Sequence, residues 1–165
     1  MKKMRKGFTL VELLIVIAIL GALASMMTLS GTNATASASA TKIVENLLTL
    51  KSAALMMYTD YIYSGDAGFN NDSFKAVSQD YLDPVALKAM SKDYSVVVDS
   101  STPKKWYAIY LFDANDAGTT QVKKLLKARA NKLGLLKATA LETAPTTEED
   151  FDGVDATTAI SIRVR

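Results

Sequence analysis

Apolar positions divide this chain into two kinds of segment. From Leu13 to Ala24 every residue is apolar or glycine, and from Leu13 to Thr41 there is no charged residue. The 22 residues from Phe8 to Leu29 carry a single charge, Glu12. At about 1.5 Å rise per residue this stretch predicts roughly 33 Å of helix, the thickness of a bilayer core. Residues 25–41 (SMMTLSGTNATASASAT) are small and Ser/Thr/Ala-rich. They read as a flexible linker or as a weak helix continuing from the apolar run. From Lys42 to Tyr63 the pattern becomes amphipathic: Ile43, Leu47, Leu50, Ala54, Met57 and Tyr61 follow 4-3-4-3-4 spacing. Val44, Leu48, Leu55, Tyr58 and Ile62 widen that stripe, and so broad a face needs cover from the C-terminal part. Ser64-Gly65 supplies the stop.

Beyond Gly65 the elements shorten. Asp66–Asp72 is loop and Ser73–Gln79 a short helical turn. Asp83-Pro84 places an N-cap and first-turn proline before a helix over Pro84–Met90. Tyr94–Val98 and Lys105–Phe112 read as an antiparallel hairpin around a turn at Ser100–Pro103. A helix is expected over Thr120–Leu136, with Val122, Leu125, Leu126, Ala130 and Leu133 on one face. Glu142–Asp155 is acidic loop, and the alternating Ala159–Val164 a terminal strand. The fold class is α+β: a long N-terminal helix on a small antiparallel sheet.

Composition removes several chemistries. The 165 residues suit one domain with an appendage. Cysteine and histidine are both absent, which excludes disulfides, cysteine nucleophiles and imidazole bases. The formal charge is +2, but Lys2, Lys3, Arg5 and Lys6 all lie within the first six positions. A basic start before an apolar run orients the start toward the cytoplasm. Within such a run Glu12 is costly for a plain anchor.

The residues Gly7-Phe8-Thr9-Leu10-Val11-Glu12-Leu13-Leu14-Ile15-Val16-Ile17 closely resemble the prepilin signature of type IV pilins and secretion-system pseudopilins. The resemblance implies a leader of residues 1–7, removed after Gly7 by a membrane-embedded prepilin peptidase that also methylates the new N-terminus at Phe8. It implies one long helix, residues 8–30 forming its membrane and filament-core half and 31–63 its second half, with residues 64–165 as an exported α+β domain. If unbroken from Phe8 to Tyr63, that helix would be about 84 Å long. The precursor would sit in the bacterial inner membrane, in contact with lipid and with its C-terminal domain outside. After assembly it would lie in a surface pilus or a periplasmic pseudopilus.

The implied partners are copies of the same chain in a helical filament, the prepilin peptidase, and an inner-membrane assembly platform driven by a separate ATPase. Cleavage would free an ammonium on Phe8 one helical turn from Glu12. In the family this glutamate pairs with a neighbour's N-terminus, which makes Glu12 an assembly residue. Loss of the leader removes four of nineteen basic residues, leaving fifteen against seventeen acidic ones. The chain lacks the proline that follows the apolar run in many members, so no proline kink is expected, although Gly21 and Gly31 allow local loosening. It also lacks the paired C-terminal cysteines of many pilins, and the helix at 120–136 is not a standard feature.

Other constellations favour plainer readings. Glu148, Glu149, Asp150, Asp152 and Asp155 could ligate calcium, but their spacing is not that of an EF-hand and a solvated loop is expected. Asp113-Ala-Asn-Asp-Ala-Gly reads as a turn. Lys123, Lys124, Lys127, Arg129, Lys132 and Lys137 make a basic helical segment, expected to be a solvated face rather than a nucleic-acid surface. Tyr58, Tyr61, Tyr63, Trp106, Tyr107 and Tyr110 are expected in the core and sheet. With no phosphate loop, nucleophile elbow or catalytic pair, the chain reads as an enzyme's substrate and not an enzyme, with no metal or cofactor. The alternatives are a type II secretion pseudopilin, a minor pilin or, in another class, a membrane-anchored DNA-binding or adhesive module.

Overall fold

The computed structural model describes residues 8–64, 77, 80–90, 92–99, 105–113, 118–145, 147–154 and 158–165, without the side chains of 28–30 and 61–64. It divides into two compact units, Met1–Thr35 and Ala36–Arg165. The elements are α1 (Leu10–Ser64), α2 (Pro84–Met90), β1 (Tyr94–Val98), β2 (Trp106–Leu111), α3 (Thr119–Leu133), β3 (Leu135–Ala138) and β4 (Ala159–Arg163).

α1 runs through the Ser/Thr/Ala stretch, so that stretch is helix and not linker. Its hydroxyls bond back along the helix. Ser25 Oγ donates to Gly21 O at 2.9 Å, Thr35 Oγ1 to Thr32 O at 2.9 Å and Thr41 Oγ1 to Ser37 O at 2.9 Å. Such bonding satisfies side chains that would otherwise compete with the helix. In the second unit α1 buries Ile43, Leu47, Leu50, Ala54 and Met57 of the stripe read from spacing, and Ala40 one turn before it, while the Tyr61 side chain lies outside the described residues. The expected widening holds only in part. Val44 and Tyr58 pack against the core, whereas Leu48 and Leu55 are exposed, because the described residues of the core cluster cover one face of the helix.

The sheet is antiparallel throughout, in the order β1-β2-β4-β3. β1 and β2 form the expected hairpin, with Val98 opposite Trp106, while residues 100–104 lie outside the described residues. Trp106 and Ala108 face the core that holds α1 and α3. Tyr107 and Ile109 face a second, smaller cluster with Ala138 and Ala159, as a period of two requires. Asp83 caps α2: its carboxylate accepts the Val85 N–H at 2.7 Å and its carbonyl the Leu87 N–H at 2.8 Å. Of the Ser73–Gln79 turn only Val77 is described; it is buried, and its carbonyl accepts the Tyr81 N–H. Asp66–Asp72 and Gly65 lie outside the described residues.

One expectation is corrected here. The helix read as Thr120–Leu136 ends at Leu133, and Gly134 adopts φ 64°, its N–H donating to Ala130 O. This left-handed cap turns the chain into β3, a strand the apolar spacing did not reveal, and Lys137 therefore lies on a strand and not on the basic helix. The expected last strand is present as β4, and Ala159, Ile160, Ser161 and Ile162 are all buried although its sequence alternates. A strap explains this. Residues 139–145 and 147–151 leave β3 and cross the outer sheet face, where Leu141 and Ala144 pack on the second cluster and Leu141 O accepts from Ser95 Oγ on β1. They return beside β3, where Lys137 N–H donates to Glu149 O and Phe151 N–H to Leu135 O, each at 2.9 Å. β4 is thus covered on both faces.

Candidate processing and assembly segment

α1 begins with a reciprocal cap. Thr9 is the N-cap, its carbonyl accepting the Leu13 N–H at 3.3 Å. The Thr9 N–H and hydroxyl both donate to Glu12 Oε2, at 2.8 and 2.7 Å, and the Glu12 N–H donates to Thr9 Oγ1 at 3.3 Å. This is a capping box, in which side chains at N-cap and N3 satisfy each other's backbone donors. The signal lay in the sequence as Thr9-x-x-Glu12, so Thr9 is a site residue that attention to charge alone overlooks. Glu12 Oε1 has no partner among the described residues.

Phe8 stands just before the cap, outside the helix and exposed; Gly7 lies outside the described residues. From Phe8 to Met27 every residue is exposed, and the large apolar side chains among them are 48–86% exposed. A Cβ added at Gly21 or Gly31 would meet nothing within 4 Å, so neither glycine marks a close approach between described parts of the chain. By length and composition Leu10–Asp60 includes a window apolar enough to cross a membrane. A helix apolar all round is suited to lipid or to packing against other helices. The Thr9, Glu12 and Leu13 N–H groups at its start are satisfied within the segment, and one Glu12 carboxylate oxygen has no partner among the described residues.

The other sequence-predicted constellations are elsewhere. The acidic loop is tied down by cations. Glu148 accepts from Tyr107 Oη at 2.7 Å and lies 3.1 Å from Lys105 Nζ and 3.3 Å from Arg163 Nη1. The hydrogen bond from Tyr107, then that from Lys105, holds its carboxyl below the ordinary range, while burial and the Glu148 carboxylate push the Tyr107 phenol up to about 12. Lys137 reaches Asp152 at 2.9 Å and Glu149 at 3.3 Å, and these two contacts raise its ammonium. Among the described residues no group of three or more His, Cys, Asp or Glu side chains could hold a metal ion; Asp155 is outside them.

On α3, Lys124, Lys127 and Lys132 are exposed, as the solvated reading expects. Lys123 departs from it. It is buried, with its ammonium 5.1 Å from the Phe112 ring centroid, a cation–π contact that offsets desolvation. Arg129 is half-buried and donates to Thr41 Oγ1. The aromatic residues sit in the core and sheet: Tyr58 meets Trp106 edge-on at 5.4 Å, Tyr110 lies 4.8 Å from Tyr94, and Tyr107 is on the opposite sheet face. The side chains of Tyr61 and Tyr63 are outside the described set.

Residues 2–28 match the family model described as the prokaryotic N-terminal methylation motif. The match coincides with the segment just described and supports the type IV pilin and pseudopilin signature read from Gly7–Ile17. No curated protein and no solved structure matches the chain.

Proposed function

We propose that this chain is the structural subunit of a type IV pilus, cleaved between Gly7 and Phe8, methylated on the Phe8 amine and polymerised through α1. The observation that carries the reading is the coincidence at one place of the methylation motif over residues 2–28 and a helix whose apolar side chains from Phe8 to Met27 are all exposed. Lipid covers that surface in the precursor. Other copies of α1 cover it in the filament, where burial at roughly 25 cal/mol per Å² drives cohesion. The compact unit lies on the outer side of the membrane, and residues 1–7 act as the cytoplasmic leader.

Glu12 sets register. Thr9 holds Oε2 inside the subunit, and Oε1 accepts the ammonium that cleavage creates on a neighbouring Phe8. Either charge alone in a low-dielectric surrounding is costly, so a subunit out of register leaves both unpaired. The chain is a substrate of the peptidase and not itself an enzyme. An assembly platform with its own ATPase supplies the work.

Intact mass and N-terminal mapping of material sheared from cells and of washed membranes test this reading. A chain starting at methylated Phe8 and abundant in the sheared fraction is the expected result. The same processed chain confined to membranes would make it a pseudopilin or minor pilin, and an unprocessed start in both fractions would sink the proposal. Glu12→Ala should be inserted and cleaved normally yet give few filaments.

A further inference from the structure

A cavity of about 210 Å³ opens to solvent on the Ala36–Arg165 unit. Tyr110, half-buried, gives it an aromatic surface beside the buried Tyr94 and Phe112, and Lys42, Asn46 and Asp93 bring polar groups to it. That surface is fixed from behind. Tyr110 meets Phe112 edge-on at 5.2 Å, and Phe112 stacks on Phe151 at 5.9 Å beneath the buried Lys123 ammonium. Asn46 Nδ2 donates to the Tyr94 hydroxyl at 3.1 Å. Burial, the largest cause, raises the Tyr94 phenol above its ordinary value, so it stays protonated. Lys42 and Asp93 form no ion pair among the described residues.

This lining selects by chemistry. An anion meets Lys42 but is repelled by Asp93, and a cation meets the reverse. A purely apolar ligand would strip water from Lys42, Asn46 and Asp93 without replacing it. A ligand that uses these groups must carry no net charge, offer an apolar face to the aromatic ring, and bear groups that both donate and accept. A pyranose ring does this: its C–H face packs on the half-buried Tyr110 ring while its hydroxyls donate to Asp93 and accept from Lys42 and Asn46. The volume falls below the ~300–1,000 Å³ of pockets for drug-sized ligands, which limits the occupant to one ring. The open mouth leaves the rest of a chain outside.

We infer that the aromatic-lined cavity between α1, β1, β2 and the start of α3 binds a single sugar ring at the end of a glycan. The inference does not depend on cleavage or polymerisation, since every lining residue lies within Ala36–Arg165.

Saturation-transfer NMR on the full-length chain, in micelles of an amine-oxide detergent with no sugar headgroup, tests it. The probes are the methyl glycosides of glucose, galactose and mannose, together with N-acetylglucosamine. The expected result is transfer to the ring C–H protons of at least one probe, with a dissociation constant of about 1 mM. Lys42→Ala and Asp93→Ala should each weaken it about tenfold or more, with an unchanged melting temperature, and Lys132→Ala should leave binding as it was. Absence of transfer from all four probes overturns the inference, as does transfer that survives both rim substitutions. Binding of free L-leucine with no sugar bound would assign the cavity to zwitterions and overturn it equally. Because the unpolymerised chain is used, failure of the filament reading leaves this result standing.

Discussion

Leu14 and Leu47 occupy the same helix and share the same chemistry, yet one is 64% exposed and the other fully buried. Leu14 belongs to a segment apolar on every side, with no cover among the described residues. Leu47 belongs to a segment whose apolar residues are confined to one stripe. That stripe includes small members, Ala36, Ala40, Ala53 and Ala54, that admit close neighbours. Apolar content therefore does not fix burial within a chain. A one-sided pattern is solved by the chain's own sheet, and an all-round pattern calls for lipid or for other copies.

The largest expected effect separates the two regions outright. Leu47→Ala should cost the compact unit about 2–5 kcal/mol, read from urea unfolding of the buried Trp106 by fluorescence. Leu14→Ala should leave that curve in place and lower only filament yield. Equal shifts would mean that the N-terminal stretch is part of the folded unit after all.

Next come two glycines of the compact unit, both at positive φ. At Gly153 (φ 68°) an added Cβ would lie 2.9 Å from Lys127 Cβ and 3.1 Å from Lys123 O, whereas at Gly134 (φ 64°) it would meet nothing within 4 Å. Gly134→Ala should cost about 1 kcal/mol in backbone strain. Gly153→Ala should cost about 1–3 kcal/mol more through overpacking against α3. Thermal melts rank them, and an equal loss at both sites would refute the close approach of the strap's end to α3.

A smaller effect concerns pH. The folded carboxyl of Glu148 lies below its ordinary value of 4.5. Its contribution is therefore fully present above that value and is lost as pH falls from there through the lower folded value. Glu148→Gln should lower stability at neutral pH and flatten the acid limb of the stability curve. Parallel curves for the two proteins would show that the Tyr107–Glu148–Lys105 contacts do not hold the strap.

The smallest effect is expected at Ser161, whose hydroxyl is buried with no hydrogen-bond partner among the described residues. Removing an unsatisfied polar group should be neutral or slightly stabilising, by up to about 1 kcal/mol. A clear loss on Ser161→Ala would point to a bridging water beneath the strap.

Much of this architecture was legible from residues 8 to 63, because helix continuity and a 4-3-4-3-4 stripe are local properties. The Asp83-Pro84 start, the Tyr94–Val98 and Trp106–Leu111 hairpin and the final strand were legible for the same reason. The capping box was equally visible as Thr9-x-x-Glu12, although a lone charge in an apolar run draws attention away from Glu12 as a cap. What pattern could not supply was contact between distant segments. Leu135–Ala138 continues the apolar spacing of α3, and only its pairing with β4 makes it a strand. Lys123 reads as one more surface lysine until Phe112 is placed beneath it.

By itself the sequence determined the N-terminal segment, its charge asymmetry, its processing signature and the α+β class, since each depends on neighbours a few positions apart. Only the tertiary structure decided the strand order β1-β2-β4-β3, the strap that buries β4 on its second face, and the cavity lined by Tyr94, Tyr110 and Phe112. Those features rest on free energies of burial and pairing between residues tens of positions apart. That energy exists only once the chain has closed the loops that bring them together.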